Sequence, residues 1–201
     1  HRFHLGSDVE SAARLIEDGG LRASLGTTRT AILTDSNNPF SLVTLTEINS
    51  INGPPYTGTY TAATRTLVQR SPSGRSITTT LDALGRVVFE QTAGLAPANY
   101  SYDSHGRLAT AILGSGPQAR AAHFGYNSAG YLSSITDPLS QTVSFGYDLA
   151  GRVISQTLAD GRVIGFAHDA NGNLSGLTPP GRPAHTFNFN ALDLPSQYGP
   201  P

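Results

Sequence analysis

Tyr147-Asp148-Leu149-Ala150-Gly151-Arg152-Val153 is the stretch on which the fold turns. Tyr147 closes the run Val143-Ser144-Phe145-Gly146-Tyr147, whose odd positions are apolar, as a half-buried strand requires. Asp148 can accept backbone N–H groups two or three residues on, as in an Asx-turn, and Gly151 can supply a left-handed position. The Tyr147 ring is expected to pack on one face with its hydroxyl on a polar partner. Arg152 is expected to stretch across the sheet surface. The seven residues read as strand, turn, strand, and nothing in them demands catalysis.

Working outward, the same pattern recurs. Before it stand Asp82-Ala83-Leu84-Gly85-Arg86, Tyr102-Asp103-Ser104-His105-Gly106-Arg107-Leu108 and Tyr126-Asn127-Ser128-Ala129-Gly130-Tyr131-Leu132. After it come the decayed copies His168-Asp169-Ala170-Asn171-Gly172-Asn173-Leu174 and Asn190-Ala191-Leu192-Asp193-Leu194. The steps from Gly85 through Gly106, Gly130, Gly151 and Gly172 to Asp193 are 21, 24, 21, 21 and 21 residues. Such a register means stacked supersecondary units, none able to bury its apolar face alone. A unit of this length is too short for two packed helices, and its apolar residues alternate, as in Arg162 to His168. A second turn lies between the main ones: Asp160-Gly161 falls 10 residues after Gly151, and Ser73-Gly74 stands 11 before Gly85. Each unit therefore reads strand, turn, strand, turn. The expected fold is all-β: a repeat-built antiparallel meander, a curved sheet with open ends. A parallel β-solenoid also tolerates a period near 21 and is the alternative.

Composition narrows the chemistry. The 201 residues contain no cysteine and no lysine, so thiolate nucleophiles, disulfides, Cys-type zinc sites and Schiff-base lysines are out. A net charge of −1, with 13% charged residues, gives no basic field for phosphates, and nucleic acid is not an expected partner. No apolar run approaches the roughly 18–20 residues of a membrane span. The length is enough to bury a sizeable core. His1 stands where an initiator Met would be, which fits a mature or excised piece.

Residues 1–38 lack the repeat. Ser7 to Gly20 carries a capping-box start and a double-Gly stop and reads as a short helix. Thr27–Thr34 and Ser41–Ile48 are Thr-rich and alternate, hence strands, and Asn52-Gly53-Pro54-Pro55 is a turn. The organisation expected is an N-terminal segment, 1–38, diverged strand units over 39–70 and the regular repeat over 71–201.

Several constellations invite sharper readings. His1 and His4 suggest a copper-binding histidine brace, but no partner can be singled out among His105, His123, His168 and His185. Ser101, Asp103 and His105 alternate as a hydrolytic trio would, yet Asp103 belongs to the repeat turn. Gly114-Ser115-Gly116-Pro117 lacks the strand and helix of a phosphate loop and reads as a long hairpin connection within the 24-residue unit. Tyr102, Tyr126 and Tyr147 could form a sugar-stacking ladder, but their recurrence at the structural period favours packing. The sequons Asn99-Tyr100-Ser101 and Asn173-Leu174-Ser175 matter only in a eukaryotic secretory setting. No residue is nominated as catalytic, cofactor-binding or metal-binding.

Tyr-Asp-x-x-Gly-Arg-Leu at a period of about 21 resembles the YD repeat of the Rhs (rearrangement hotspot) family, which includes bacterial polymorphic toxins, C subunits of insecticidal Tc complexes and teneurins. The resemblance covers residues 71–194 well and extends in diverged form over Pro39 to Arg75. It implies a segment of a spiralling β-sheet shell that encloses a toxin or other cargo, in a secreted or surface-exposed bacterial protein. The implied function is a non-enzymatic scaffold, without cofactor, whose partners are adjacent repeats or a cargo protein. A carbohydrate- or receptor-binding adhesion module is the alternative. Neither an aspartyl autoprotease segment nor a distinct toxin domain is recognisable, so the sequence reads as a fragment or a degenerate short member.

Overall fold

The computed structural model of the protein describes residues 3–4 and 25–201. The helix expected between Ser7 and Gly20, and His1 of the copper reading, lie outside the described residues. What is described is strands joined by short turns. β1 is Phe3–His4, β2 Leu25–Leu33, β3 Leu42–Ile51, β4 Tyr56–Thr61, β5 Thr66–Arg70, β6 Ser76–Leu81, β7 Val87–Thr92, β8 Ala98–Tyr102 and β9 Leu108–Leu113. After these come β10 Arg120–Tyr126, β11 Leu132–Thr136, β12 Thr142–Tyr147, β13 Val153–Thr157, β14 Val163–His168, β15 Leu174–Thr178, β16 His185–Phe189 and β17 Pro195–Gly199. A single 3₁₀ turn, Gly116–Gln118, sits in the long β9–β10 connection, where the 24-residue step has its extra residues.

Two compact units divide the chain. Unit 1 is His1–Ser101 with Ile112–Ala119; unit 2 is Tyr102–Ala111 with Arg120–Pro201. Within unit 1, β2 to β7 pair in chain order, each antiparallel to the next. Within unit 2, β10 to β17 do the same. An antiparallel pairing at every step is what short Gly-bearing turns permit, and it rules out the parallel solenoid. Among the described residues β17 pairs with β16 alone, so unit 2 ends on an open edge.

Cross-strand partners share a face of a sheet, so the register assigns each side chain to one of two faces. In unit 2 the pairs Phe124–Ile135, Phe166–Leu177 and Phe187–Tyr198 stand on one face, joined by Tyr126, Phe145, Tyr147 and Ile164. The other face carries Gly125–Ser134, Ser144–Thr157, Gly146–Ser155 and Gly165–Thr178. One side is mainly apolar and aromatic, with Gln156 and His185 among it; the other is mainly Ser, Thr and Gly, with Val163 and Ala167. In unit 1, threonine dominates one face in the row Thr44–Thr61–Thr66–Thr80, and Leu45–Tyr60–Leu67 and Glu47–Gly58–Gln69–Ile77 lie on the opposite face.

The expected core is not there. Among the described residues the only buried large apolar side chain is Leu33, at 6% exposure, and no side chain is fully buried. The reason is architectural: a globular core needs two packed layers, and each unit here is one layer of strands. Alternation along a strand reports which residues share a side of the sheet, not whether anything covers that side.

Candidate functional site

The repeated main turn is one local structure. In Asp148–Arg152, the Gly151 N–H donates to the Asp148 carbonyl at 3.0 Å and the Asp148 N–H to the Arg152 carbonyl at 3.0 Å. This is a type I turn closed by a residue in the left-handed region, with Gly151 at φ +79°. The Asp148 carboxylate completes it. Its Oδ1 accepts the N–H groups of Ala150 and Arg152, both at 2.9 Å, and its Oδ2 accepts Nε and Nη2 of Arg152, both at 2.7 Å.

The other copies repeat the geometry. Asp103 accepts the N–H groups of His105 and Arg107 at 2.9 Å and the Arg107 guanidinium at 2.7–2.8 Å. Asp82 takes those of Leu84 and Arg86 at 2.8 and 3.0 Å and the Arg86 guanidinium at 2.6–2.7 Å. Where the sequence decays, the side chains substitute. Asn127 keeps the bond from the Tyr131 N–H, at 2.9 Å. Asp169 takes the Asn171 and Asn173 N–H groups, and Asn173 Nδ2 at 3.0 Å replaces the guanidinium. Asp193 occupies the glycine position at φ +57°. The Arg152 N–H first and its guanidinium second hold the Asp148 carboxyl below the usual carboxylate range; the Arg107 N–H leads for Asp103 and the Arg86 N–H for Asp82.

In unit 2 the turns are linked into a ladder. Arg107, clamped by its own Asp103, lays its guanidinium carbon 4.3 Å from the Tyr126 ring centroid. The Tyr126 hydroxyl donates back to the Leu108 carbonyl at 2.9 Å. One unit on, the Tyr131 ring stacks on Tyr147 at 5.0 Å, and the Tyr147 hydroxyl donates to the Leu132 carbonyl at 2.7 Å. Arg152 Nη1 then donates to the Asp169 carbonyl at 3.1 Å, and Asn173 Nδ2 to Asp193 at 2.8 Å. The residue after each glycine thus reaches the next turn, and Tyr131 lies so close over Gly151 that a Cβ there would enter its ring. At the third rung His168 replaces tyrosine, and among the described residues its buried Nδ1 has no hydrogen-bond partner.

Two periodic features lie beyond the motif. One extra residue bulges out after the main turns at Gly85, Gly130, Gly151, Gly172 and Asp193, at Val88, Ser133, Ile154, Ser175 and Ser196, three places past the glycine position. Phe124, Phe145, Phe166 and Phe187 recur every 21 residues on the apolar face, and Gly125 and Gly146 sit where a Cβ would meet the hydroxyls of Ser134 and Ser155. The signal was present in the repeated Phe-Gly-Tyr at 124–126 and 145–147. It says that two strands approach closely there, but not which two.

The hydrolytic trio is not assembled. The Asp103 carboxylate is occupied by the turn and by Arg107, and His105 meets it through its backbone N–H, not its imidazole. Among the described residues no group of three or more His, Asp or Glu side chains is placed to hold a metal ion.

Comparison with known proteins follows the geometry. The family model described as teneurin YD-shell matches residues 21–194. No curated protein sequence matches the chain. Among solved structures, a TcdB2–TccC3–Cdc42 crystal structure superposes with a TM-score of 0.54 at 14% identity, covering 85% of this chain and 12% of that one. The Photorhabdus luminescens Tc holotoxin pore gives 0.51 at 14% identity, with the same coverage of both chains. The likeness is one of fold, and this chain spans only about an eighth of the length of those chains. A period of clamped turns on a single-layer antiparallel sheet, matched by the family model over residues 21–194, places the chain in the teneurin YD-shell family.

Proposed function

We propose that the chain is a non-enzymatic wall segment whose apolar face is turned toward an enclosed or adjoining polypeptide, in a secreted or surface-exposed bacterial protein. The observation that carries this reading is the pairing of a large aromatic face with a nearly absent core. A sheet that buries almost nothing of its own has apolar surface available to something else. The Asp82, Asp103, Asp148 and Asp169 turns, with Gly85, Gly106, Gly130, Gly151 and Gly172, act in this reading as structural fasteners. The arginines 86, 107 and 152 and the tyrosines 102, 126 and 147 space neighbouring repeats. The open edge at β17 suits continuation by further strands.

The absence of cysteine makes a clean test possible. Single cysteines are introduced at Leu177 and Phe145 on the apolar face and at Thr157 and Thr178 on the polar face, in the protein as its own gene produces it. Maleimide is expected to label the polar-face positions quickly and the apolar-face positions slowly. Equal rates on both faces would overturn the enclosing role.

A further inference from the structure

Post-glycine arginines are mostly held by their own turns: Arg86, Arg107 and Arg152 by an aspartate four residues back, and Arg162 by Asp160. Arg75 follows Gly74 in the same five-residue turn, with the Ser71 N–H donating to the Arg75 carbonyl at 2.9 Å. Position 71, however, is serine, so the turn offers no carboxylate to this guanidinium. Arg75 instead lines an open groove of about 450 Å³ on unit 1, on the face opposite the threonine rows.

The floor of that groove is Gly58, between Tyr56 and Tyr60 on the same side of β4. Neither conformation nor packing requires a glycine there. Its φ is not positive, and a Cβ would meet only Gln69 Cγ and Leu67 Cδ1, both at an ordinary 3.9 Å. What the missing side chain creates is the open space between two tyrosines, of which Tyr56 is 53% exposed. In the row through that floor the Glu47 carboxylate, fixed by Asn49 Nδ2 at 3.2 Å and Arg29 at 3.4 Å, lies on one side of Gly58, and the Gln69 amide lies on the other, between Gly58 and the strand that follows Arg75. The groove therefore presents a guanidinium with no carboxylate partner among the described residues, an aromatic-walled middle, and a fixed carboxylate beyond Gly58.

We propose that this groove binds a carboxylate-bearing sugar, a uronic acid residue of an acidic polysaccharide. Arg75 takes the carboxylate, for which the guanidinium fork is shaped. The tyrosines flank the apolar edge of the pyranose ring, and Glu47, Asn49 and Gln69 take its hydroxyls. The site uses none of the fasteners of the repeat, but it lies on the side that the wall-segment reading turns toward another polypeptide, so saccharide binding requires that side of unit 1 to be open.

Calorimetric titration with tri-galacturonate, a neutral galactose trimer and sodium acetate tests the proposal on the intact chain. Saturable binding of tri-galacturonate is expected, weaker by about tenfold in Arg75→Gln. Gly58→Ile, which fills the floor, should abolish it, and Gly58→Ala, whose methyl has room, should weaken it while the far-UV circular dichroism stays unchanged. Arg182→Gln, at a post-glycine arginine remote in sequence from the groove, should bind as wild type does. The proposal is overturned by absence of saturable binding at millimolar trimer, by equal binding of the neutral trimer or of acetate, or by indifference to both Gly58 variants.

Discussion

The turn at Ser71–Arg75 and the turn at Asp148–Arg152 share one backbone and differ at their first three positions, of which the first decides the clamp. Both close with the residue at position one donating to the carbonyl at position five, and both place glycine fourth, at φ +83° and +79°. Only the second has a carboxylate to accept two backbone N–H groups and a guanidinium. The pairings tell the same story. From β3 to β6 the ladder runs without a shift, whereas the hairpins closed by the main turns at Gly85, Gly130, Gly151, Gly172 and Asp193 each carry a bulge. Glycine and alternation are thus sufficient for a meander. Carboxylate, bulge and post-glycine side chain are what tie one hairpin to the next.

That contrast is open to direct attack. The largest expected effect is at Gly151, where a methyl group meets both a left-handed backbone and the Tyr131 ring; Gly151→Ala should destabilise unit 2 by about 3 kcal/mol. Gly161→Ala, left-handed but with open space around it, should cost about 1 kcal/mol. Denaturant titrations of the two variants give the comparison, and equal losses would remove the stacked ring from the explanation.

Smaller, and aimed at the clamp itself, is Asp148. Asp148→Ala should lower the melting temperature more than Asp148→Asn, because an amide oxygen still accepts N–H groups, as Asn127 and Asn190 do naturally. Introducing Ser71→Asp should raise the melting temperature, by giving the Ser71–Arg75 turn the fastener that the Asp82 turn of the same unit already has. Next, Tyr147→Phe keeps the stack on Tyr131 but loses the bond to the Leu132 carbonyl, an expected loss of about 1 kcal/mol. Urea midpoints measure it.

The smallest effect is on pH. Folding depresses the carboxyls of Asp82, Asp103, Asp148 and Asp169, so their contribution is fully present above the unfolded value of about 3.9 and is lost as pH falls through the lower folded values. Melting temperature should fall below about pH 4, and Asp148→Asn should flatten part of that fall. A pH profile of the variant parallel to that of wild type would show that the clamp carries no titrating stability.

Much of this was legible before any coordinates. Turns at Gly74, Gly85, Gly106, Gly151 and Gly161, strands on either side, and the Asx bonds of Asp103 and Asp148 all follow from residues within five positions of one another. The partners of Arg107 and Tyr131 were not legible. Each lies on a ring about one repeat away, and the choice between Tyr126 and any other tyrosine depends on strand register. The bulges escaped notice for the same reason, since an extra residue has no meaning until the opposite strand is known.

By itself, then, the sequence determined that the chain is extended, where it reverses and which residues share a side, because backbone sterics and short-range hydrogen bonds act over a few residues. Tertiary structure alone decided that the sheet is a single layer with its apolar side uncovered, that one turn fastens the next, and that Gly58 opens a groove. Those are relations between strands: they depend on which surfaces meet, and alternation within a strand is the same whether its apolar side is packed or bare.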